Sequence, residues 1–283
     1  IGSFGGDVMT ALITGATGLI GQALVARLGS AHVLTRNTSR AEALLGDGIR
    51  AFPWSPSQEL PPLEAFKGIT AVYHLAGEPI GDGRWTAAKK RRIYDSRVLG
   101  TQNLVKAMAQ LEEPPEVLVS SSGIGYYGDQ AARLLTELSP PGTGFLADIC
   151  KAWEGEAMEA QNFGVRVVTL RTGLVLAAKS PALLKMVPVI KAGIGGKLGS
   201  GEQFMSWIQV EDLVGLLCLA AENSEIHGPV NGVAPEPVSN QDFTKTLARC
   251  LGRWAILPAP AFGIRLLFGE MGDLVLESQR VQP

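Results

Sequence analysis

Short apolar runs alternate with stretches of helical period over the first two thirds of the chain. Residues 11–13 form a compact apolar run that reads as a buried strand. It meets Gly15, Gly18 and Gly21, and an apolar helical pattern then runs to Leu28. Residues 32–35, 49–54, 70–75, 116–121 and 165–170 read as further strands, while helices are predicted over 86–110 and 145–163. Such alternation is the signature of an α/β fold built on a doubly wound parallel sheet. From about Leu174 the rhythm loosens. Helices are predicted over 181–191, 212–223, 239–251 with Ser239 as cap, and 258–269, with a short strand over 229–233 and a glycine-rich stretch over 192–201. The expected division is a sheet domain over 9–173 and, over 174–283, mainly a smaller C-terminal lobe closing over the strand ends. Residues 1–8, IGSFGGDV, read as a cloning scar or processed leader outside the fold.

The glycine spacing carries the first chemical inference. Gly15 suits a tight turn, Gly18 lets backbone amides approach a pyrophosphate, and Gly21 lets the following helix lie close to the strand. The helix start then offers its positive end to phosphate. A glycine triplet is a weak signal in a chain with 34 glycines, but its place directly after the first strand makes it a Rossmann-type dinucleotide cradle. The second strand ends at Arg36, where an acid would favour a free ribose 2′-hydroxyl and an arginine a 2′-phosphate; Arg40 follows nearby. The expected cofactor is therefore NADP(H). Small residues after the fourth strand, Ala76 and Gly77, suit a chain passing beside it.

Composition narrows the classes without naming a substrate. Apolar residues are 46% and charged residues 18% of 283, which describes a globular chain; a net charge of −2 gives no global attraction to nucleic acid. The longest apolar run, 213–221, is about half of a membrane span. Cys150, Cys218 and Cys250 are odd in number and widely spaced, which suits reduced, buried thiols in the cytoplasm, or in an organelle stroma or matrix if a targeting peptide has been removed. His32, His74 and His227 form no ligand spacing, so no metal is expected. The run Lys89, Lys90, Arg91, Arg92 reads as a solvated helix face, and composition leaves monomer and homodimer open.

Taken together, TGATGLIG at the start, HLAG at 74–77, GTQNL at 100–104, SSSGIGYYG at 120–128 and VED at 210–212 resemble the short-chain dehydrogenase/reductase superfamily in its extended, epimerase-like form. HLAGEPIGDGRW (74–85), SRVLGT (96–101), FLADICKAWE (145–154), GSGEQFMSWIQVEDLV (199–214), NGVAPEPVSNQDF (231–243) and LESQRVQP (276–283) resemble more narrowly its atypical nucleoside-diphosphate-sugar epimerase-like subfamily. Some members of that subfamily carry a cell-division label, and members usually continue for a short further C-terminal segment. The resemblance implies cofactor contacts at Gly15, Ala16, Thr17, Gly18, Leu19, Ile20, Arg36, Leu75, Ala76 and Gly77, to which the reading of the second strand's end adds Arg40.

Catalytic machinery transfers poorly. An active member pairs a tyrosine with a lysine four residues later, yet the positions four after Tyr73, Tyr94, Tyr126 and Tyr127 are Gly77, Val98, Gln130 and Ala131. Leu146 and Cys150 stand where the pair belongs, and Arg97 replaces the usual asparagine. Two readings stay open. In one, an oxidoreductase or isomerase acts on a nucleotide sugar or similar small molecule through a rebuilt site: Ser122 with Tyr126 or Tyr127 as catalytic candidates, and Glu78, Arg84, Trp85, Arg97, Met205 and Trp207 as substrate candidates. In the other, the chain binds NADP(H) without turnover and serves a regulatory or assembly role.

Overall fold

The computed structural model describes residues 10–283; the leader expected over 1–8 lies outside the described residues. The first half runs β1 (Ala11–Thr14), α1 (Leu19–Leu28), β2 (Ala31–Thr35), α2 (Thr38–Leu45), β3 (Ile49–Pro53), β4 (Ala71–His74), α3 (Ala87–Met108), β5 (Val117–Gly123), β6 (Leu134–Leu135), α4 (Phe145–Met158) and β7 (Arg166–Thr172). The rest comprises β8 (Leu174–Leu176), α5 (Pro181–Lys191), β9 (Phe204–Met205), β10 (Trp207–Gln209), α6 (Val210–Glu222), β11 (Gly228–Gly232), β12 (Val238–Ser239), α7 (Asn240–Cys250), α8 (Ala261–Phe268), α9 (Asp273–Leu276) and β13 (Arg280–Val281). Seven strands form one sheet in the order β11-β7-β5-β4-β1-β2-β3, all parallel. This is the expected Rossmann-type doubly wound α/β fold, with its order reversing between β1 and β4.

The pleat explains why the strands read as unbroken apolar runs. Ala11 and Ile13 join Tyr73, Val119 and Leu170 on one face, under α1 and α6. Leu12 joins Val72, Leu118 and Val167 on the other, against Leu104 and Met108 of α3. Helices on both faces leave no polar side for alternation to mark. Each fully buried Leu or Ile contributes about 1.5–3 kcal/mol to this core.

The segment after 173 is not a separate lobe throughout, because β11 completes the central sheet beside β7 and α6 packs into the core under it. The remaining elements pair in short ladders, β8 with β10, β9 with β12, and β13 back onto β6. Three local expectations are corrected. The helix expected over 145–163 is α-helical only to Met158 and tightens to a 3-10 turn over Glu159–Phe163. Lys89 is buried rather than part of a solvated face, because α3 turns it toward Glu78. Cys250 is exposed, unlike Cys150 and Cys218, since it ends α7 on the rim of the molecule.

Candidate functional site

The site begins in the turn between β1 and α1. Gly15 has φ +72°, and a Cβ there would come within 2.8 Å of the Ala76 nitrogen and the Leu75 carbonyl. Only glycine lets this turn lie against the end of β4. A Cβ on Gly21 would meet the Gly15 oxygen at 2.4 Å and the Ala16 Cα at 2.5 Å, so the third glycine holds the helix against the turn. Gly18 caps α1 without a side-chain bond, and the first intrahelical bond runs from the Gln22 amide to the Gly18 oxygen at 2.9 Å. The amides of Leu19, Ile20 and Gly21 therefore precede the helical ladder and suit phosphate oxygens.

Arg36 and Arg40 lie exposed just beyond β2, with no ion pair among the described residues. Asn37 between them caps α2 by accepting from the Arg40 amide at 2.9 Å. Both cations thus stand one strand away from the cradle, on the side where an adenosine ribose would extend.

On the other side of β1, the chain leaving β4 is pinned from below. The Leu75 and Ala76 amides both donate to Thr14 Oγ1 at 3.1 Å, and Thr14 Oγ1 lies 2.8 Å from His74 Nδ1. His74 Nε2 lies 2.9 Å from Thr101 Oγ1, whose hydroxyl donates to the Arg97 carbonyl at 2.5 Å. Thr14 Oγ1 accepts from the two amides and so gives its own proton to Nδ1, whereas Thr101 spends its proton on the Arg97 carbonyl and so accepts from Nε2–H. His74 is fully buried, and burial followed by the charge of Arg97 pulls its pKa down to about 3. It is a neutral strut.

That strut sets an acid limit on the fold. A histidine whose folded pKa lies below its unfolded value of 6.5 supplies stability that is complete above 6.5 and lost as pH falls toward 3. At about 1.36 kcal/mol per unit, the loss reaches at most on the order of 5 kcal/mol. Urea unfolding at pH 7, 6 and 5 should show stability falling, and His74→Asn should flatten that slope; an unchanged slope would place the acid sensitivity elsewhere. Glu78, held below the usual carboxylate range chiefly by its bond from Lys89, adds a loss of the same sign at lower pH.

The substrate candidates disperse. Glu78 accepts from Lys89 at 2.8 Å and Arg92 at 3.3 Å, which makes it a brace for the start of α3. Arg97 stacks over Trp153 at 5.1 Å, donates to the Glu78 carbonyl at 3.0 Å and lies 3.0 Å from where a Gly77 Cβ would stand. It is therefore a cation directly beneath the chain expected to line the cofactor. Trp85 bonds the Ile80 carbonyl at 2.8 Å and packs on Phe145 at 5.2 Å. Arg84 donates to the Leu266 carbonyl of α8 at 3.2 Å. Met205 accepts from Asn240 at 3.3 Å, and Trp207 pairs with β8; neither lines the cleft that holds Trp85.

The catalytic candidates at the end of β5 are absorbed by a buried network. Ser122 donates to Glu154 Oε1 at 2.6 Å, and Arg171 binds the same carboxylate through Nε at 2.9 Å and Nη2 at 2.8 Å. Burial opposes the Arg171 charge, but the bonds it donates to Glu154 more than restore it and raise its pKa. Arg171 also reaches the Tyr127 hydroxyl at 3.0 Å, which donates to Asn231 Oδ1 at 2.7 Å. Tyr127 is wholly buried, and burial raises its pKa further from neutrality. Tyr126 is half-buried and lies over the Arg171 guanidinium at 3.5 Å. Leu146 and Cys150 sit on α4 above this end of the sheet; burial pushes the Cys150 thiol up to about 11. Sequence reasoning missed Glu154, Arg171 and Asn231 as a unit, since their separation along the chain conceals a contact made only by neighbouring strands and α4.

The sequence profile of the NAD dependent epimerase/dehydratase family matches residues 11–231. The chain belongs to that family. A second profile, a domain of unknown function, matches 259–283. Among relatives of this epimerase family, the chain is 40% identical over 282 residues to the chloroplastic SDR39U1 homolog of Arabidopsis thaliana, covering 97% of this chain and 80% of that one. The crystal structure of human epimerase family protein SDR39U1 with NADPH superposes with a TM-score of 0.84 at 32% identity, over 97% of this chain and 91% of that one. UDP-glucose 4-epimerase of Thermotoga maritima shares the fold at TM-score 0.76 and 18% identity, over 89% of this chain and 86% of that one.

Proposed function

We propose that this epimerase-family chain binds NADP(H) along the carboxyl edge of the sheet and works as an oxidoreductase or isomerase on a nucleotide sugar or similar small molecule. The observation that carries the cofactor is the juxtaposition of the Gly15–Gly21 cradle, whose space a Cβ would fill, with the exposed Arg36 beyond β2, which has no ion pair among the described residues; the human relative crystallised with NADPH supports it. Gly15, Ala16, Thr17, Gly18, Leu19 and Ile20 hold the pyrophosphate through backbone amides. Arg36 and Arg40 hold the 2′-phosphate, while Leu75, Ala76 and Gly77 line the inner face, braced by the Thr14–His74–Thr101 chain. When bound, the nicotinamide supplies a two-electron hydride acceptor or donor. Arg97, under Gly77, places a fixed positive charge near that ring in the absence of a lysine. The compartment proposed is the cytoplasm or, as for the chloroplastic relative, the interior of an organelle. Among the described residues no helix is long and apolar enough to cross a membrane.

A second reading, an NADP(H)-binding regulatory or assembly protein without turnover, draws on one observation: Ser122 and Tyr127 are committed to the Glu154–Arg171 network. NADPH and NADH titrations, followed by a nucleotide-sugar turnover screen, separate the readings. NADPH should bind more tightly. Arg36→Glu should weaken NADPH by roughly 10- to 100-fold, the worth of a charged hydrogen bond, with NADH little changed. Equal loss for both cofactors would show that another group reads the 2′-phosphate.

A further inference from the structure

The strand order orients the cofactor proposed above. Its adenosine lies toward Arg36 at β2 and its pyrophosphate at β1, so its nicotinamide half extends over β4 and β5. Immediately beyond β5, a cleft of about 230 Å³ opens between the sheet edge and the C-terminal segment. Trp85, Gly125 in the turn after β5, and Phe145 and Leu146 at the start of α4 line one side, none of them with a titratable group; the opposite wall brings Glu270, Asp273 and Glu277.

These acids are not equivalent. Glu270 is paired with Lys90 and Asp273 with Arg265 at 3.2 Å. The Glu277 carboxyl has neither an ion pair nor a hydrogen bond among the described residues, although it is half-buried. Its backbone is held on both sides. The Glu277 amide donates to the Asp273 carbonyl at 2.9 Å, and the next amide, of Ser278, donates to Asp129 Oδ1 at 3.1 Å.

We propose that Glu277 is the proton-exchanging group of this cleft, acting on a hydroxyl or carbonyl of a bound sugar-like substrate. The proposal rests on the enzymatic reading above. In the oxidative direction the carbon-bound hydrogen leaves with its electron pair to NADP⁺, the hydroxyl proton passes to the Glu277 carboxylate, and a carbonyl forms. In the reverse direction NADPH returns the hydride and the Glu277 carboxyl returns the proton. The acidic wall disfavours phosphate here, so the sugar end of a nucleotide sugar, not its diphosphate, occupies the cleft.

The surroundings suit such a role. Burial, then the charges of Asp273 and Asp129, push the Glu277 pKa up to about 7 against the pull of Arg265. Glu270 and Lys90 largely cancel one another. A carboxyl poised there can both accept and release a proton at neutral pH.

The test uses the intact chain with NADP⁺ and, as probes, UDP-glucose, UDP-galactose and UDP-glucuronic acid. NMR of isotope-labelled glutamate, assigned by the signal missing from Glu277→Gln, should show the Glu277 carboxyl titrating near neutrality without any sugar present. Turnover of a probe should depend on the same ionisation, and Glu277→Gln should lower it about 100-fold or more, with NADPH affinity within experimental error of the parent and a melting temperature at neutral pH no lower than the parent's, since the neutral amide removes the cost of a buried charge. A Glu277 carboxyl that titrates in the ordinary range, or a Glu277→Gln variant that keeps turnover within threefold, overturns the assignment and leaves the enzymatic reading standing. If no probe is bound or turned over by the parent chain, the enzymatic reading falls, and the role of Glu277 with it.

Discussion

Glu154→Ala is expected to destabilise the protein by about 3–5 kcal/mol, the usual result of stripping one partner from a buried ion pair. The Arg171 side chain is only 4% exposed and loses both of its bonds to the carboxylate. Ser122 loses its acceptor at the same time. For a chain of this size the melting temperature should drop by roughly 6–15 °C. A variant that removes both charges, Glu154→Leu with Arg171→Met, should recover much of the loss, because no uncompensated charge is left inside. Thermal and urea unfolding of the two variants would check this, and a loss under about 1 kcal/mol in Glu154→Ala would show that water enters and replaces the carboxylate. The network ties the ends of β5 and β7 to α4, and therefore holds the cleft and the expected nicotinamide side in register.

Gly21→Ala should abolish useful NADPH binding, with affinity reduced on the order of 100-fold. The added methyl would meet the Gly15 oxygen and the Ala16 Cα, both backbone atoms. No rotamer change relieves that contact, so the cradle itself must move. An overpacking cost of about 1–3 kcal/mol accompanies it. Gly155→Ala is the control, since an α4 Cβ there meets nothing within 4 Å and alanine gains about 0.5–1 kcal/mol over glycine in a helix. Isothermal titration with NADPH and parallel melting curves would read both variants. Parent-like affinity in Gly21→Ala would show that the turn tolerates a shifted helix and that the amides of α1 are not what grip the phosphates.

The glycine turn and the parallel sheet were legible because each is written in neighbouring residues. A strand, three glycines and a helix start lie within residues 11–28, and a buried parallel strand shows itself as an unbroken apolar run. Arg36 was legible for the same reason, as the residue at the end of the next strand. Ser122 was recognised by its place at a strand end, yet its hydroxyl turned out to be committed to Glu154, 32 residues away. Lys89 looked like one more surface cation in a basic run until Glu78, 11 residues earlier, drew it inward.

The sequence by itself determined the layered α/β fold and the close glycine turn between β1 and α1, which depend on local backbone geometry, and it carried the expectation of a 2′-phosphate at Arg36, which depends on one residue at a strand end. Only the tertiary structure decided which polar groups are spent on holding the molecule together and which are not. Arg171 with Glu154, Tyr127 with Asn231, and His74 with two threonines satisfy one another across strands, as buried polar groups must. Glu277, brought to the cleft by the segment after α9, has no such partner among the described residues. Hydrogen bonding is settled by distances in space, and a linear order of residues does not contain them.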